Sequence, residues 1–463
     1  MQTTISPIDG KIIVEREYAS SNLIESTLAA ASTAQLAWRQ TSIEHRVSIL
    51  REAIAVFESQ QNEIAEEITL QIGRPIAHSP GEVKGFAERA LAMIELAPQA
   101  LADIIPKQQI GFTRFMRREP LGIISIIAPW NYPYLTAVNT LVPALIAGNA
   151  VTLKHSRHTP LCAERLTRIF LQAGLPAGLL NHLHMDHSAT EKFIQDPRIS
   201  FVAFTGSVLG GQYITKSLAN TFTPCGLELG GKDPAYVCAD ADLIHTVPNL
   251  VEGVYFNAGQ SCCGIERIYV DETLFDDFVS SFVELTKKYR LDDPRDLNTT
   301  LGPMITSEAA DRLRKQIQLA VSQGAKPLLP SATSSLDRLG SAYLSPQVLI
   351  NVNHKMAVMR EENFGPIVGI MPVKNQDEAI QLMNDSSYGL TASVWTQDQQ
   401  RAVVIGEQLE TGTVLMNRCD YLDPQLAWTG VKNTGRGITL SVLGYQQLSR
   451  IKSYHLLLNG NAT

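Results

Sequence analysis

The amino-acid sequence predicts an α/β protein whose two larger domains are doubly wound parallel sheets. Residues 121–128 form a nearly continuous apolar run rich in β-branched side chains, which is typical of a strand covered on both faces. Strand-like and helix-like segments then alternate as far as residue 204, and a second alternation begins near Pro234. Such alternation favours parallel sheets with helices on both faces.

The residues before the first sheet have a helical pattern. Between residues 19 and 101, apolar side chains recur at three- and four-residue spacing, as at Val47, Leu50 and Ile54. A Gly-Arg-Pro sequence at residues 73–75 interrupts this pattern. We therefore predict packing helices with a break at this point.

Each later element is predicted from an apolar run bounded by turn residues. The segment 326–339 contains prolines and serines, and we interpret it as a surface excursion. In chain order we predict a strand at 121–128, a helix ending at 146, a strand at 150–154, a helix at 160–172, strands at 179–184 and 200–204, a helix after 207, strands at 234–237 and 267–270, and helices at 274–289 and 307–323.

The composition excludes several function classes. The 463 residues are 44% hydrophobic and 18% charged, and the net charge of −7 comes without a basic cluster, so no nucleic-acid partner is expected. No apolar run is long enough to span a membrane, and the first residues do not resemble a signal peptide. The six cysteines form no Cys-x-x-Cys pair, which favours a reducing compartment. We expect a cytoplasmic protein.

A candidate nucleophile and a candidate base lie in two glycine-rich stretches. Cys262 stands between Gly259 and Gly264, where small residues allow a substrate to approach, and a thiolate is a strong nucleophile. Packing of a small buried thiol would also explain this cysteine. Glu228 lies in the apolar stretch 227–232, where desolvation raises a carboxyl pKa towards that of a useful base.

These two stretches resemble the motifs of the aldehyde dehydrogenase superfamily. Residues 256–262 match Phe-x-x-Gly-Gln-x-Cys, residues 228–232 match the glutamate motif, and the spacing of 34 positions between Glu228 and Cys262 is also the family's. The resemblance covers nearly the whole chain. It implies an aldehyde dehydrogenase-like fold with a cofactor-binding domain at 1–101 and 121–230, a catalytic domain at 231–433, and a small oligomerisation sheet formed by 102–120 and 434–463.

The resemblance also implies the reaction. An aldehyde would be oxidised to a carboxylic acid with NAD or NADP through a thiohemiacetal and a thioester on Cys262. Glu228 would activate the hydrolytic water, and the side-chain amide of Asn131 would stabilise the oxyanion. Three alternatives remain open: a CoA-acylating dehydrogenase, in which a thiol replaces water; a cysteine hydrolase, although no histidine lies in a comparable setting; and a structural homologue without activity.

The cofactor residues follow from the resemblance and not from a Rossmann fingerprint. No Gly-x-Gly-x-x-Gly sequence follows a strand, and a tight turn alone would explain the junction at 204–211. In the family, Gly206 and Ser207 correspond to pyrophosphate-binding positions, Lys154 to a ribose contact, and Glu362 and Phe364 to the nicotinamide end. The predicted cofactor set comprises Trp130, Lys154, Ser156, Arg157, Gly206, Ser207, Gly211, Glu362 and Phe364.

Two further features concern cofactor choice and substrate. Arg157 stands where many NAD-preferring relatives carry glutamate, and with Ser156 it could bind a 2′-phosphate, so we predict that NADP is at least tolerated. Asp420 and Asp423 favour an amino-aldehyde, whereas Arg418 favours a carboxylated semialdehyde, and the sequence does not decide between them. The predicted substrate pocket comprises Tyr132, Phe256, Ser261 and Trp428.

The sequence raises two further questions, a metal site and oligomerisation. Histidines 182, 184 and 187 suggest metal ligands, but no other ligand cluster supports them and the family uses no catalytic metal, so we expect none. Residues 449–458 have the alternation of a strand that could pair with 114–118. Because such segments form an oligomerising sheet in the family, we expect a homodimer or a homotetramer.

Overall fold

An antiparallel hairpin and four helices open the chain, for which the computed structural model describes residues 1–458. Ser20 and Ser42 cap the first two helices by accepting backbone N–H bonds. Gly73, with φ 76°, ends the third helix in the left-handed conformation, so the predicted break is confirmed. The elements are β1 (Gln2–Ile5), β2 (Ile12–Arg16), α1 (Ser21–Trp38), α2 (Ile43–Ser59), α3 (Gln61–Ile72) and α4 (Pro80–Ala100).

The first large sheet is parallel in five of its six strands. Its elements, which follow β3 (Phe112–Pro120), are β4 (Ile123–Ala128), α5 (Pro133–Ile146), β5 (Ala150–His155), α6 (Pro160–Gln172), β6 (Leu180–His182), α7 (His187–Ile194), β7 (Ile199–Thr205), α8 (Val208–Ser217) and β8 (Cys225–Glu228). The strand order β8-β7-β4-β5-β6 reverses direction between β4 and β7. Ligands of open α/β sheets bind beyond the carboxyl ends of the strands at such a switch point.

The second large sheet has seven strands in the order β11-β12-β13-β10-β9-β15-β16. Its elements are β9 (Asp233–Val237), α9 (Leu243–Tyr255), β10 (Ile265–Asp271), α10 (Phe275–Thr286), α11 (Ser307–Ser322), β11 (Lys326–Pro327), β12 (Gln347–Ile350), α12 (Ala357–Arg360), β13 (Ile367–Val373), α13 (Gln376–Asn384), β14 (Tyr388–Gly389), β15 (Thr391–Trp395), α14 (Gln399–Gly406) and β16 (Thr413–Met416). The α/β prediction is confirmed for both sheets.

The last part of the chain contributes three strands, each of which pairs with an earlier strand. Strand β17 (Val431–Lys432) pairs with β14, and β18 (Gly435–Arg436) forms an antiparallel edge on β8. Strand β19 (Ser449–Leu457) pairs antiparallel with β3, with Arg114 opposite His455, so the predicted pairing of these segments is confirmed. Residues 459–463, which belong to the predicted oligomerisation segment, lie outside the described residues.

The buried apolar side chains form two cores. The first is built mainly from residues 28–229 and also includes Leu440, Tyr445 and Leu448 from the C-terminal segment. The second contains residues from 235 to 409. The predicted domain boundary at residue 230 lies in the loop between β8 and β9. None of the helices in residues 1–458 has the length and apolar character that a membrane crossing requires.

Candidate active site

Two cavities adjoin beyond the carboxyl ends of β4, β7 and β8. The larger cavity has a volume of about 410 Å³ and the smaller cavity about 310 Å³. Both are lined by Cys262 and Glu228, together with Thr136, Thr205 and Leu229. The predicted nucleophile and the predicted base therefore lie at the junction between two binding spaces.

The loop before Cys262 has an unusual backbone. Asn257 and Ala258 adopt φ values of 53° and 56° in the short 3₁₀ turn after α9, and Gly259 follows with φ 68°. Left-handed backbone is unfavourable for residues with a side chain and is enriched at functional sites. A Cβ on Gly259 would lie 2.4 Å from the carbonyl oxygen of Gly365, so this close approach requires glycine. The loop leaves Cys262 half-buried.

Glu228 is held by two threonine hydroxyls. It ends β8, directly opposite Thr205 of β7. Thr205 Oγ1 donates to one carboxylate oxygen at 3.0 Å, and Thr439 Oγ1 donates to the other at 2.5 Å. Burial raises the pKa of Glu228, while the two hydroxyls act in the opposite direction. Glu228 is therefore suited to accept a proton from water.

Asn131 lies buried in the loop after β4, on the wall of the smaller cavity. Its side-chain Nδ2 donates to the carbonyl oxygen of Gln260 at 3.1 Å. This bond uses one of the two N–H groups of the amide, and it fixes the side chain beside the Cys262 loop. The second N–H is available for a ligand oxygen.

A buried arginine connects Asn131 to the Cys262 loop. The Nη2 of Arg74 donates to the carbonyl oxygen of Asn131, and its Nε donates to Asn257 Oδ1 at 3.0 Å. Its Nη1 pairs with Glu82 at 2.5 Å, and both side chains are at most 2% exposed. The other Glu82 oxygen accepts the N–H groups of Tyr134 and Leu135 in the first turn of α5. The network therefore joins four segments around the site.

The smaller cavity contains most of the predicted cofactor residues. Ser207 caps α8, because its Oγ accepts the N–H of Gly210 at 3.1 Å, and a helix N-terminus favours an anionic group. Glu362 accepts the N–H of Gly231 at 2.9 Å, and burial, followed by the charge of Glu266, raises the pKa of Glu362 to about 7. The predicted cofactor residues that line this cavity are Trp130, Gly206, Ser207, Glu362 and Phe364.

Two of the predicted residues, the aromatic Trp130 and Phe364, belong to the wall of the smaller cavity, whereas Gly211 does not. The rings of Trp130 and Phe364 meet edge to face with centroids 5.7 Å apart. Gly211 is buried in the first turn of α8, where a Cβ would lie 2.7 Å from the Leu229 side chain. Gly211 therefore allows α8 to pack closely against the loop after β8 and does not line the smaller cavity.

The three residues predicted for the adenosine end lie outside the smaller cavity. Lys154 is near the end of β5, which neighbours β4, and Ser156 and Arg157 follow it. Burial lowers the pKa of Lys154. The Ser156 hydroxyl accepts the N–H of His158 at 3.3 Å, and the exposed Arg157 side chain forms no ion pair in residues 1–458. All three remain at the same sheet edge as the site.

The predicted substrate residues line the larger cavity. These residues are Tyr132, Phe256, Ser261 and Trp428, and the Trp428 side chain is buried. The Ser261 hydroxyl and the Cys263 thiol both donate to Asp420 Oδ1, at 2.9 and 3.0 Å.

The charges of Asp420, Asp423 and Arg418 left the choice of substrate undecided in the sequence. Two of these three residues line the larger cavity. Asp420 lines the cavity, and burial raises the pKa of its carboxyl group. The Arg418 guanidinium lies over the ring of Tyr421. Asp423 does not line the cavity.

Several charged and polar residues of the site were not predicted from the sequence. Arg89 lies in a segment interpreted only as a packing helix, and the signal was a charged residue inside an apolar helical pattern. Arg312 of α11 lines the smaller cavity, and Thr439 reaches Glu228 from a distant part of the chain. Thr205, adjacent to the predicted Gly206, could have been found from its position at the end of a strand.

Two histidines of the predicted group have ordinary hydrogen-bond partners, and the ring of the third, His187, lies edge to face with Tyr213. His182 bonds Thr167 Oγ1 at 3.1 Å, and His184 bonds Glu164 Oε1 at 2.9 Å. Within the part of the chain that the structure describes, no three His, Cys, Asp or Glu side chains are grouped as metal ligands.

The fold and the site together define a class of α/β enzyme in which one thiol faces two adjoining cavities. The chain belongs to the aldehyde dehydrogenase family, because the model described as "Aldehyde dehydrogenase family" matches residues 1–454.

The chain is similar to individual proteins of known name over nearly its full length. The chain is 33% identical over 459 residues to succinate semialdehyde dehydrogenase [NAD(P)+] Sad from Escherichia coli (strain K12), covering 97% of this chain and 96% of that one. It is 32% identical to succinate-semialdehyde dehydrogenase [NADP(+)] 1 from Mycobacterium bovis (strain BCG / Pasteur 1173P2), covering 97% and 98%. A solved structure of succinic semialdehyde dehydrogenase from Streptococcus pyogenes in complex with NADP+ is 26% identical with TM-score 0.94, covering 99% of this chain and all of that one.

Proposed function

We propose that this chain oxidises an aldehyde to a carboxylic acid with NAD or NADP, using Cys262 as the nucleophile. The observation that carries this proposal is that Cys262 and Glu228 line both cavities. A thiol in that position can hold the aldehyde from the larger cavity while its carbonyl carbon faces the smaller cavity. Family membership supports the same reaction.

The cofactor would occupy the smaller cavity. The N-terminus of α8 with Gly206 and Ser207 would bind the pyrophosphate, Glu362 the nicotinamide ribose, and Trp130 and Phe364 would flank the ring. Lys154, Ser156 and Arg157 would bind the adenosine end, and Gly211 would support the close packing of α8. When bound, NAD(P)+ supplies the hydride acceptor for the oxidation.

The protein's own residues would carry the remaining steps. The Cys262 thiolate attacks the aldehyde carbon to give a thiohemiacetal, whose oxyanion is stabilised by the Asn131 amide and the backbone N–H of Cys262. Loss of hydride leaves a thioester on the sulfur. Glu228 then takes a proton from water as the water attacks the thioester, and the carboxylic acid leaves with release of the Cys262 thiolate. Tyr132, Phe256, Ser261 and Trp428 would position the aldehyde.

Replacement of Glu228 by glutamine separates the two halves of the reaction. We expect Glu228→Gln to form about one equivalent of reduced cofactor per site in a rapid burst and then to turn over at least ~100-fold more slowly than the parent protein, because the amide cannot accept the water proton. Stopped-flow absorbance of the reduced cofactor measures both phases. Undiminished steady-state turnover in the variant would remove Glu228 from this role.

Cofactor preference tests the residues after β5. We expect turnover with both NAD and NADP, and we expect Arg157→Glu to lower kcat/KM for NADP by about 10-fold or more, because a carboxylate repels the 2′-phosphate. The value for NAD should change little, which makes NAD the internal control. Strong turnover with NAD and none detectable with NADP in the parent protein would contradict this assignment.

The relatives supply the first aldehyde to test. Those compared above carry the name succinate semialdehyde dehydrogenase, so succinate semialdehyde is the substrate that we propose first. Asp420 is already engaged by Ser261 and Cys263, which weakens the argument for an amino-aldehyde.

We further propose a cytoplasmic homodimer or homotetramer with the domain division given by the sequence. The antiparallel pair β3 and β19 would form the subunit contact, supported by its exposed Ile451, Leu456 and Leu457. All six cysteines have free thiols, which agrees with a reducing compartment. Residues 1–101 and 121–230 would bind the cofactor, 231–433 would form the catalytic domain, and 102–120 with 434–463 would form the contact.

A further inference from the structure

We infer that Arg89 is the anion-binding residue of the larger cavity and that it selects aldehydes bearing a carboxylate. This inference rests on the proposed function and names the residue of the same site that would decide the substrate class. Arg89 is a half-buried residue of α4 and lines the cavity that also contains Cys262. It is the only arginine besides Arg418 among the described residues that line this cavity.

The hydrogen bonds of Arg89 fix its position and leave two nitrogens for a ligand. Its Nη1 donates to the carbonyl oxygen of Leu135 at 2.7 Å and to Asn139 Oδ1 at 3.3 Å. Both acceptors are neutral and lie on α5. Among residues 1–458, neither Nε nor Nη2 has a hydrogen-bond partner, and the side chain forms no ion pair. A guanidinium held in this way presents a donor pair that matches a carboxylate.

The arginines that are more deeply buried than Arg89 in the described residues have protein partners. Arg74 and Arg165 are paired with carboxylates. Arg46 and Arg267 have no carboxylate partner, but all three of their guanidinium nitrogens donate to carbonyl or hydroxyl oxygens. A buried charge normally requires such partners. Arg89 differs because its free nitrogens are on a residue that faces an open cavity.

The described carboxylates that line the cavity form no ion pair with Arg89, so that an added anion can bind to it. Glu228 has both oxygens bound by threonine hydroxyls, and Asp420 Oδ1 accepts from Ser261 and Cys263. Glu88 and Glu252 are exposed residues of the cavity wall and form no ion pair with Arg89 within residues 1–458.

The electrostatics of Arg89 favour an anion in direct contact with it. Burial lowers the pKa of Arg89, and the charges of Glu82 and Glu228, which form no ion pair with it within residues 1–458, act in the opposite direction. Arg418 adds a second cation on the same cavity wall. The ammonium group of an amino-aldehyde would be repelled by Arg89, whereas a carboxylate would be attracted.

The test compares two aldehydes of equal chain length, succinate semialdehyde and butanal. The parent protein should prefer succinate semialdehyde, and Arg89→Met should lower the ratio of the two kcat/KM values by about 100-fold, mainly through KM for the semialdehyde. Arg89→Lys, which keeps the charge but not the paired donors, should give an intermediate ratio. Lys84→Met is the matched control, because Lys84 is an exposed residue of the same helix that does not line the cavity.

Succinate provides a readout that does not depend on turnover. It should raise the melting temperature of the parent protein and of Lys84→Met, and raise that of Arg89→Met much less. A similar shift in all three proteins, an unchanged kcat/KM ratio in Arg89→Met, or a parent preference for butanal would each overturn the inference. If no aldehyde is oxidised but succinate stabilises the protein through Arg89, the proposed function fails and the anion site stands.

Discussion

Cys262→Ser is expected to lower kcat for aldehyde oxidation by on the order of 10³-fold or more, because a serine hydroxyl is far less ionised and less nucleophilic than a thiol. Cys262 is the cysteine that lines both cavities, so the variant removes the attacking atom without changing the shape of the site. Absorbance of the reduced cofactor measures the loss, with NAD and NADP in parallel.

The neighbouring thiol supplies a matched control. Cys263 is buried, and its Sγ donates to Asp420 Oδ1 at 3.0 Å. Its hydrogen bonding to Cys262 and its burial raise the pKa of Cys263, which keeps this thiol protonated. A serine hydroxyl can make the same donation to Asp420, so Cys263→Ser should retain activity within about 10-fold. The reverse result, an active Cys262→Ser and an inactive Cys263→Ser, would assign the nucleophile to the other thiol.

The sheets could be predicted because their strands are covered on both faces. Six of the eight residues in the run 121–128 form β4, all six are buried, and the alternation of elements gave parallel neighbours. The antiparallel edges were not predicted. Strands β11 and β18 have two residues each, and β18 pairs with a strand about 200 positions earlier, so no local pattern marks either one. The segment at 326–339, interpreted as a surface excursion, therefore begins with a short edge strand.

The candidate residues that the sequence suggested lie in short motifs, and the residues that it missed come from distant parts of the chain. Cys262, Glu228 and Asn131 lie in recognisable stretches, and the structure places them around the two cavities. Thr439 contacts Glu228 across 211 positions, and Arg74 contacts Asn257 across 183. Arg74 follows the glycine that ends α3, so the sequence indicated only a helix break there. Its contacts with Asn131, Asn257 and Glu82 form only in the folded protein.

Arg74→Met is expected to lower the free energy of unfolding by about 3–5 kcal/mol, because it leaves the Glu82 carboxylate buried without its partner. Chemical denaturation followed by fluorescence measures the change. Arg198→Met is the surface control, since Arg198 pairs with Glu25 and Asp196 in partly exposed positions and should lose no more than about 1 kcal/mol. Equal stability losses in the two variants would contradict the argument from burial.

A double variant separates charge from position. In Arg74→Met with Glu82→Gln, the buried negative charge is gone while the glutamine Oε1 can still accept the N–H groups at the start of α5. The double variant should therefore be more stable than Arg74→Met. Its kcat should stay low, because the bonds from Arg74 to the Asn131 carbonyl and to Asn257 are still missing. The oxyanion donor then keeps its bond to the Gln260 carbonyl but is held less firmly beside the Cys262 loop. Recovery of both stability and kcat would show that Arg74 acts only by neutralising Glu82, and not by positioning Asn131.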